Sequence, residues 1–265
     1  MLMLIGHTLC LGICYTSIKP YLFFSKKTVP DADIQDEGTS LKILIFNVLY
    51  SNEKYKDFIS LAKREEADII LLLETGADWD EGITSLYAIY PHVVKEIRED
   101  TYGIIMMSRI PYIEAKLNHL VLDNIPSIEA MIAVDEKLVR IFGLHPEPPI
   151  PEESQTSLPK DMEILQTAHK ISNHNSHELN ILVGDLNDVG WSKVSNTFKE
   201  ITGMTDPREG RGFYSTFPTF LPLRIPIDHV FCSPNVKLID FKINENIGSD
   251  HYPVSVTFSI PKKQG

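Results

Sequence analysis

A chain of 265 residues that is 43% hydrophobic can enclose one sizeable core, and three cysteines without a C-x-x-C pair argue against a zinc-thiolate site or a disulfide framework. The formal net charge of −11 argues against a protein whose main task is gripping long nucleic acid, because a basic surface supplies most of that affinity. Acidic side chains gathered at one place would instead attract a divalent cation.

In chain order, Met1 to Phe24 is mostly apolar. A bilayer-spanning helix needs about 20 such residues, so 1–24 reads as a hydrophobic membrane anchor, with a signal segment as the alternative. Lys19, Lys26 and Lys27 follow the run, which by the positive-inside tendency places the remainder on the cytoplasmic side. Residues 25–40 lack hydrophobic periodicity and read as a flexible linker. The globular pattern occupies 41–260, and 261–265 form a tail.

Within 41–260, LKILIFNV predicts a buried strand, and the spacing of Phe58, Ile59, Leu61 and Ala62 predicts a helix over Tyr55 to Glu66. ADIILLLE, YGIIMMS, MIAVD and LVRIFGLH predict further strands, and Asp161 to Ser172 a second helix. LNILVGDLN, IPIDHVFC and YPVSVTFSI complete the set. Helices mixed with strands in hairpin sequence predict a partly antiparallel α/β sandwich rather than regular βαβ alternation.

Several of these apolar strands end in a polar group: Asn47, Glu74, His145, Asp185 with Asn187, Asp228 with His229, and Asp250 with His251. Each alone has a bland explanation, such as a turn-closing amide or a solvated loop acid. Together they describe a rim where rigid strand ends converge carboxylates and imidazoles. Crowded carboxylates raise one another's pKa unless a cation sits among them. A histidine beside a carboxylate is oriented for proton transfer.

The ordered set resembles the endonuclease/exonuclease/phosphatase superfamily, which includes DNase I-like nucleases, inositol polyphosphate 5-phosphatases and neutral sphingomyelinases. The resemblance rests on N-V at Asn47, L-L-L-E at Glu74, Y-G-I-I-M-M-S-R from Tyr102, G-L-H-P at His145, V-G-D-L-N, I-D-H-V and G-S-D-H-Y-P-V. The hydrophobic N-terminus also resembles a bacterial membrane-associated branch. The resemblance implies a four-layer α/β sandwich of two mixed β-sheets flanked by helices, Mg²⁺ or Mn²⁺ as cofactor, and attack of water on phosphorus. It implies Glu74, with Asn47 and Asp250, as the metal-holding group. Asp185 would position or activate the water, and Asn187 would donate to a phosphoryl oxygen. His251, partnered by Asp228, would act as base or bind the phosphate, and His145 would contact the phosphate and assist the leaving group. Tyr102 matches a phosphate-contacting tyrosine of some nucleases. Leu49 stands where some nucleases carry an acid, which lessens the case for a second metal.

Two segments bear on the substrate. HPEPPIPEESQTSLP is proline-rich and acidic, whereas DPREGRGFYSTFPTFLPLR carries Arg208, Arg211 and Arg224 among aromatics. Arginine suits a second phosphate, which makes Arg211 a candidate substrate ligand. The expectation is a membrane-tethered hydrolase of a phospholipid or small phosphodiester. The alternatives are a nuclease of the same superfamily and a catalytically silent membrane-anchored binding protein.

Overall fold

The computed structural model describes residues 12, 14–33, 38–149, 156–174 and 178–262. Most of the predicted anchor, the centre of the proline-rich loop and the end of the tail lie outside them.

One sheet has the order β10-β11-β1-β2-β4-β3 and the other β5-β6-β7-β8-β9. The first is built from β1 (Thr39–Asn47), β2 (Ile69–Leu73), β3 (His92–Glu96), β4 (Ile104–Ser108), β10 (Lys237–Ile243) and β11 (Val254–Ile260). The second comprises β5 (Tyr112–Asn118), β6 (Ser127–Val134), β7 (Lys137–Leu144), β8 (Leu179–Asp185) and β9 (Asp228–Cys232). β1–β2 and β7–β8 pair parallel and the other neighbouring strands antiparallel, so both sheets are mixed.

Strand periodicity explains the layers. Ile43, Ile45, Ile69 and Leu71 face Ile141, Ile181 and Val183 in the core between the sheets. The alternate residues Leu44, Phe46, Ile70 and Leu72 pack outward on Phe58, Leu61 and Trp79 of helices α1 (Tyr55–Glu65) and α2 (Ala77–Gly82). Phe142, Leu182 and Phe231 do the same against Ile164, Ala168 and Phe198 of α3 (Leu158–Ser172) and α4 (Lys193–Thr202). A strand covered on both faces needs apolar residues at every position, which is why the central strands read as unbroken runs. The predicted four-layer sandwich is therefore the observed one.

Three strands absent from the sequence reading, β3, β5 and β10, are sheet edges. Their residues are largely half-buried or exposed, so no apolar run marks them. Helix α4 was also missed. Ser192 caps it by accepting a hydrogen bond from the Ser195 amide, and Val194 and Phe198 form its buried stripe.

Residues 1–11 and 13 of the expected anchor lie outside the described residues. Among the described residues, no helix is long and apolar enough to cross a membrane. Tyr21, expected within the anchor, is 1% exposed and packs its ring 5.4 Å from Trp191 and 6.2 Å from Phe213. The expected flexible linker is an ordered arm over 25–33. Val29 joins the inter-sheet core, Ala32 N–H donates to Leu238 O at 2.7 Å, and Leu238 N–H donates to Pro30 O at 2.8 Å. These contacts reach partners about two hundred positions away, so local composition could not reveal them.

Candidate active site

The inner-face alternation runs past the ends of the strands and delivers polar groups to one rim. Ile43 and Ile45 are followed by Asn47, Ile141 by Gly143 and His145, and Ile181 and Val183 by Asp185. Asp228 opens β9 on the same face as Val230 and Cys232, directly opposite Asp185 in the ladder. Because β11 runs antiparallel to β1, Asp250 and His251, just before β11, arrive at that rim as well. Gly184, with φ at +145°, lets β8 approach β7, since an added Cβ would lie 2.0 Å from Leu144 O. Glu74 and Asn187 both turn at positive φ, 61° and 50°, which aims each side chain out of its strand direction.

Asn47 Nδ2 donates to Glu74 Oε1 at 2.8 Å and to Asp185 Oδ2 at 3.1 Å. The Tyr50 amide donates to Glu74 Oε2 at 3.2 Å. Asp185 Oδ1 accepts the Asn187 amide at 2.9 Å, while Oδ2 lies 3.5 Å from His251 Nε2 and 3.9 Å from His145 Nε2. His251 Nδ1 meets Asp228 Oδ2 at 2.9 Å, and the Thr216 hydroxyl donates to the same oxygen. These groups open on a cleft of about 280 Å³ lined by Glu74, Asp185, Asn187, Asp250 and both histidines, with Phe217 and Ile225 at its edge.

Burial and charge set the protonation states. Burial pushes Glu74 up, opposed by the hydrogen bonds from Asn47 and Tyr50. Burial also raises Asp185, with Asp228 adding to it and the two histidines opposing. Asp228 goes the other way: burial would raise it, but the charge and hydrogen bond of His251 hold it low. Burial would lower His251, yet Asp228 and Asp185 carry it up to about 10. The site thus has a charged imidazolium clamped to Asp228 and a carboxylate, Asp185, made more basic than an ordinary one.

Asp185, Asp228 and His251 offer ligand atoms within 4.8 Å of one another, a compact donor group. However, Asp228 Oδ2 already accepts from His251 Nδ1 and Thr216, so Asp228 serves better as an orienting partner than as a cation ligand. The carboxylates facing the open cleft are Glu74, Asp185 and Asp250, and among the described residues no lysine or arginine lines it. Three carboxylates against one imidazolium leave oxygen donors in excess, which suits a hard divalent ion.

Asn47, Glu74, His145, Asp185, Asn187, Asp228, Asp250 and His251 are therefore brought together as the sequence predicted. Tyr102 sits behind this group, its ring 5.7 Å from that of His145, while its neighbour Thr101 lines the cleft. Arg211 is a correction. Its guanidinium donates to Asp31 Oδ1 at 2.6 Å, Val29 O at 2.6 Å and Pro207 O at 2.8 Å, so it fastens the N-terminal arm instead of facing the cleft.

A supporting shell surrounds these groups, and although the sequence reading singled out Arg208, Phe217 and His229 it assigned none of them this role. Ser249 Oγ donates to Asn47 O at 2.7 Å and accepts the His251 amide at 3.0 Å, tying β1 to the His251 turn. The Phe217 ring lies 4.7 Å from the His251 ring. Arg208, fully buried and paired with Asp206, donates to Asp228 O at 3.1 Å and to His229 Nδ1 at 2.9 Å. Burial and Arg208 push His229 down to about 3, so it is neutral, and its Nε2–H donates to Asp188 O at 2.8 Å. Arg208 and His229 thus bridge the two loops that carry Asp228 and Asp185. Tyr21 completes the network by donating to Asp206 Oδ2 at 3.1 Å. Ser249, the serine of the S-D-H triplet, lies within a local motif, whereas most partners of the others are distant in sequence.

The sequence profile of the Endonuclease/Exonuclease/phosphatase family matches residues 44–251. The chain belongs to this family. No curated protein sequence matches it. Among solved structures, D. rerio TDP2 complexed with single strand DNA product is 15% identical with a TM-score of 0.70, covering 83% of this chain and 99% of that one. The endonuclease/exonuclease/phosphatase from Bacteroides vulgatus is 16% identical with a TM-score of 0.67, covering 84% and 99%. Truncated Caenorhabditis elegans TDP2 is 16% identical with a TM-score of 0.65, covering 83% and 98%. These similarities establish the DNase I-like fold. Endonuclease/exonuclease/phosphatase proteins are generally hydrolases acting on phosphoesters and commonly use divalent metals.

Proposed function

We propose that this chain hydrolyses a phosphodiester presented at a membrane surface, such as a phospholipid headgroup, by a metal-assisted attack of water. The observation carrying the reading is the meeting of Asp185 Oδ2 with His251 Nε2 at 3.5 Å and His145 Nε2 at 3.9 Å. Asp185, made more basic by burial, takes the proton of the attacking water. His251, held charged by Asp228, sets positive charge against the phosphoryl oxygens as negative charge grows on them. His145 is placed to give a proton to the leaving oxygen. Asn187 spends one amide proton on Pro146 O at 3.0 Å and keeps the other for a phosphoryl oxygen. Glu74, Asn47 and Asp250 would hold Mg²⁺ or Mn²⁺, which when bound polarises the phosphoryl group and screens its charge.

The membrane-surface substrate is supported by the apolar run of Met1 to Phe24, the net charge of −11 and the apolar edge of the cleft. A nuclease reading is favoured by the fold shared with D. rerio TDP2, whose structure holds single-strand DNA product. The test is a panel of phosphoinositide and sphingomyelin vesicles and plasmid DNA, with Mg²⁺ or chelator. Nicking of DNA without lipid hydrolysis rejects the lipid reading. Equal background signal from wild type and His251→Ala points to a binding protein without turnover.

A further inference from the structure

The segment from Phe217 to Ile225 is a closed finger at the mouth of the cleft. Its base is paired, with Phe217 N–H donating to Ile225 O at 3.2 Å and Ile225 N–H to Phe217 O at 2.6 Å. The base is also stapled to the catalytic turn. Thr219 N–H donates to Asp250 O and its hydroxyl to Ser249 O, each at 2.8 Å. The Phe217 ring lies tilted against that of His251, and Ile225 lines the cleft. Beyond this base the side chains turn outward: Phe220 is 74% exposed, Leu223 87% and Leu221 is exposed as well, and Ile225 at the base is itself partly open to water. Folding gains nothing from large apolar groups left in water, and four on one short finger form a patch that fits an interaction site.

The composition of the finger identifies what covers it. No aspartate or glutamate occurs between Gly210 and Ile227, although the chain carries a net charge of −11. The exposed Arg224 lies with its guanidinium 4.9 Å from the centre of the Tyr252 ring. An acid-free apolar tip with one arginine at its shoulder matches the interface of an anionic bilayer, where acyl chains take the leucines and phenylalanine and lipid phosphates take the arginine. Nucleic acid fits less well. Of the exposed tip only Phe220 offers a ring for a base to stack on, and a single arginine supplies too little positive charge to follow a run of phosphates.

We infer that the Phe217–Ile225 finger is a membrane-docking element that seats Phe220, Leu221 and Leu223 in an anionic phospholipid surface and brings headgroups to the adjoining cleft. The inference deepens the lipid reading above and rests on it for the identity of the substrate.

The test uses the full chain carrying Phe220→Trp, with wild type giving the background from Trp79 and Trp191. Vesicles of phosphatidylcholine with phosphatidylglycerol are prepared with and without brominated acyl chains. The expected result is a blue-shifted emission for Phe220→Trp, quenched by bromine beyond the wild-type background. Adding Leu221→Ser and Leu223→Ser should raise the lipid concentration for half-maximal quenching at least tenfold. Hydrolysis of the water-soluble bis(p-nitrophenyl) phosphate should stay unchanged. Sedimentation with vesicles while the tryptophan stays unquenched would overturn the inference, as would quenching by a single-stranded oligonucleotide but not by lipid. Lipid quenching without hydrolysis of any phosphoester supports the docking element and sinks the enzymatic reading.

Discussion

Asp228→Asn tests the central electrostatic arrangement. The substitution keeps the shape and the oxygen that accepts from Thr216, but removes the negative charge facing His251 Nδ1 at 2.9 Å. His251 stands at about 10, against an ordinary histidine's 6.5, because Asp228 and Asp185 overcome the cost of burying its charge. That rise corresponds to roughly 5 kcal/mol favouring the charged imidazole. Asp228 contributes more of that rise than Asp185, so its loss should bring the ring down to about the ordinary histidine range. At pH 8 only a few per cent of the molecules would then carry the imidazolium, a loss of roughly 30-fold from charge alone. Misorientation of the ring brings the total to about 10²–10³-fold. Part of the activity should return on acidification to pH 6. The sign of the stability effect follows from the raised value. Wild-type His251 contributes stability that is full below pH 6.5 and lost as pH rises through about 10. The difference in stability between wild type and variant should therefore shrink above pH 10. Histidine ring shifts followed by NMR against pH, with pH–rate profiles, provide the assay. An identical titration of His251 in both proteins, or an unchanged profile, refutes the arrangement.

Three further expectations follow from other parts of the molecule. Glu74→Gln should raise the Mg²⁺ concentration for half-maximal activity by on the order of tenfold or more, and chelator should silence the wild type; a wild-type rate indifferent to chelator removes the ion from the site. Tyr21→Phe deletes the hydroxyl that donates to the buried Asp206 and should cost about 1 kcal/mol, a fall in Tm of roughly 2–4 °C; an unchanged melt would mean that this hydrogen bond adds nothing to the fold. Glu163, 2% exposed, is pushed by burial from 4.5 to about 8, so it is neutral in the fold, and the stability this lends is full below 4.5 and lost as pH rises through about 8. Glu163→Gln should remove most of that slope, on the order of 4–5 kcal/mol, and melt higher than wild type at pH 9; parallel melting curves from pH 5 to 9 would show that burial does not hold the proton.

The amino-acid sequence by itself determined the central strands, the sandwich and the eight polar groups of the rim. The reason is local: a strand buried on both faces must be apolar throughout, and a carboxylate or imidazole at its end stands out against that run. Edge strands such as β5 carried no such signal, because half their surface meets water. Only the tertiary structure decided which arginine serves which task. Arg208 and Arg211 look alike in DPREGRG, yet one is buried beside Asp206 under Asp228, and the other holds Asp31 and Val29 of the arm. Their partners lie at sequence separations that no spacing rule covers. The same holds for Tyr21, whose apolar neighbours pointed to lipid while its hydroxyl reaches a carboxylate 185 positions away. Burial and long-range pairing, which are properties of the folded chain alone, fix the protonation of His251 and Asp185 and so the chemistry that the rim can perform.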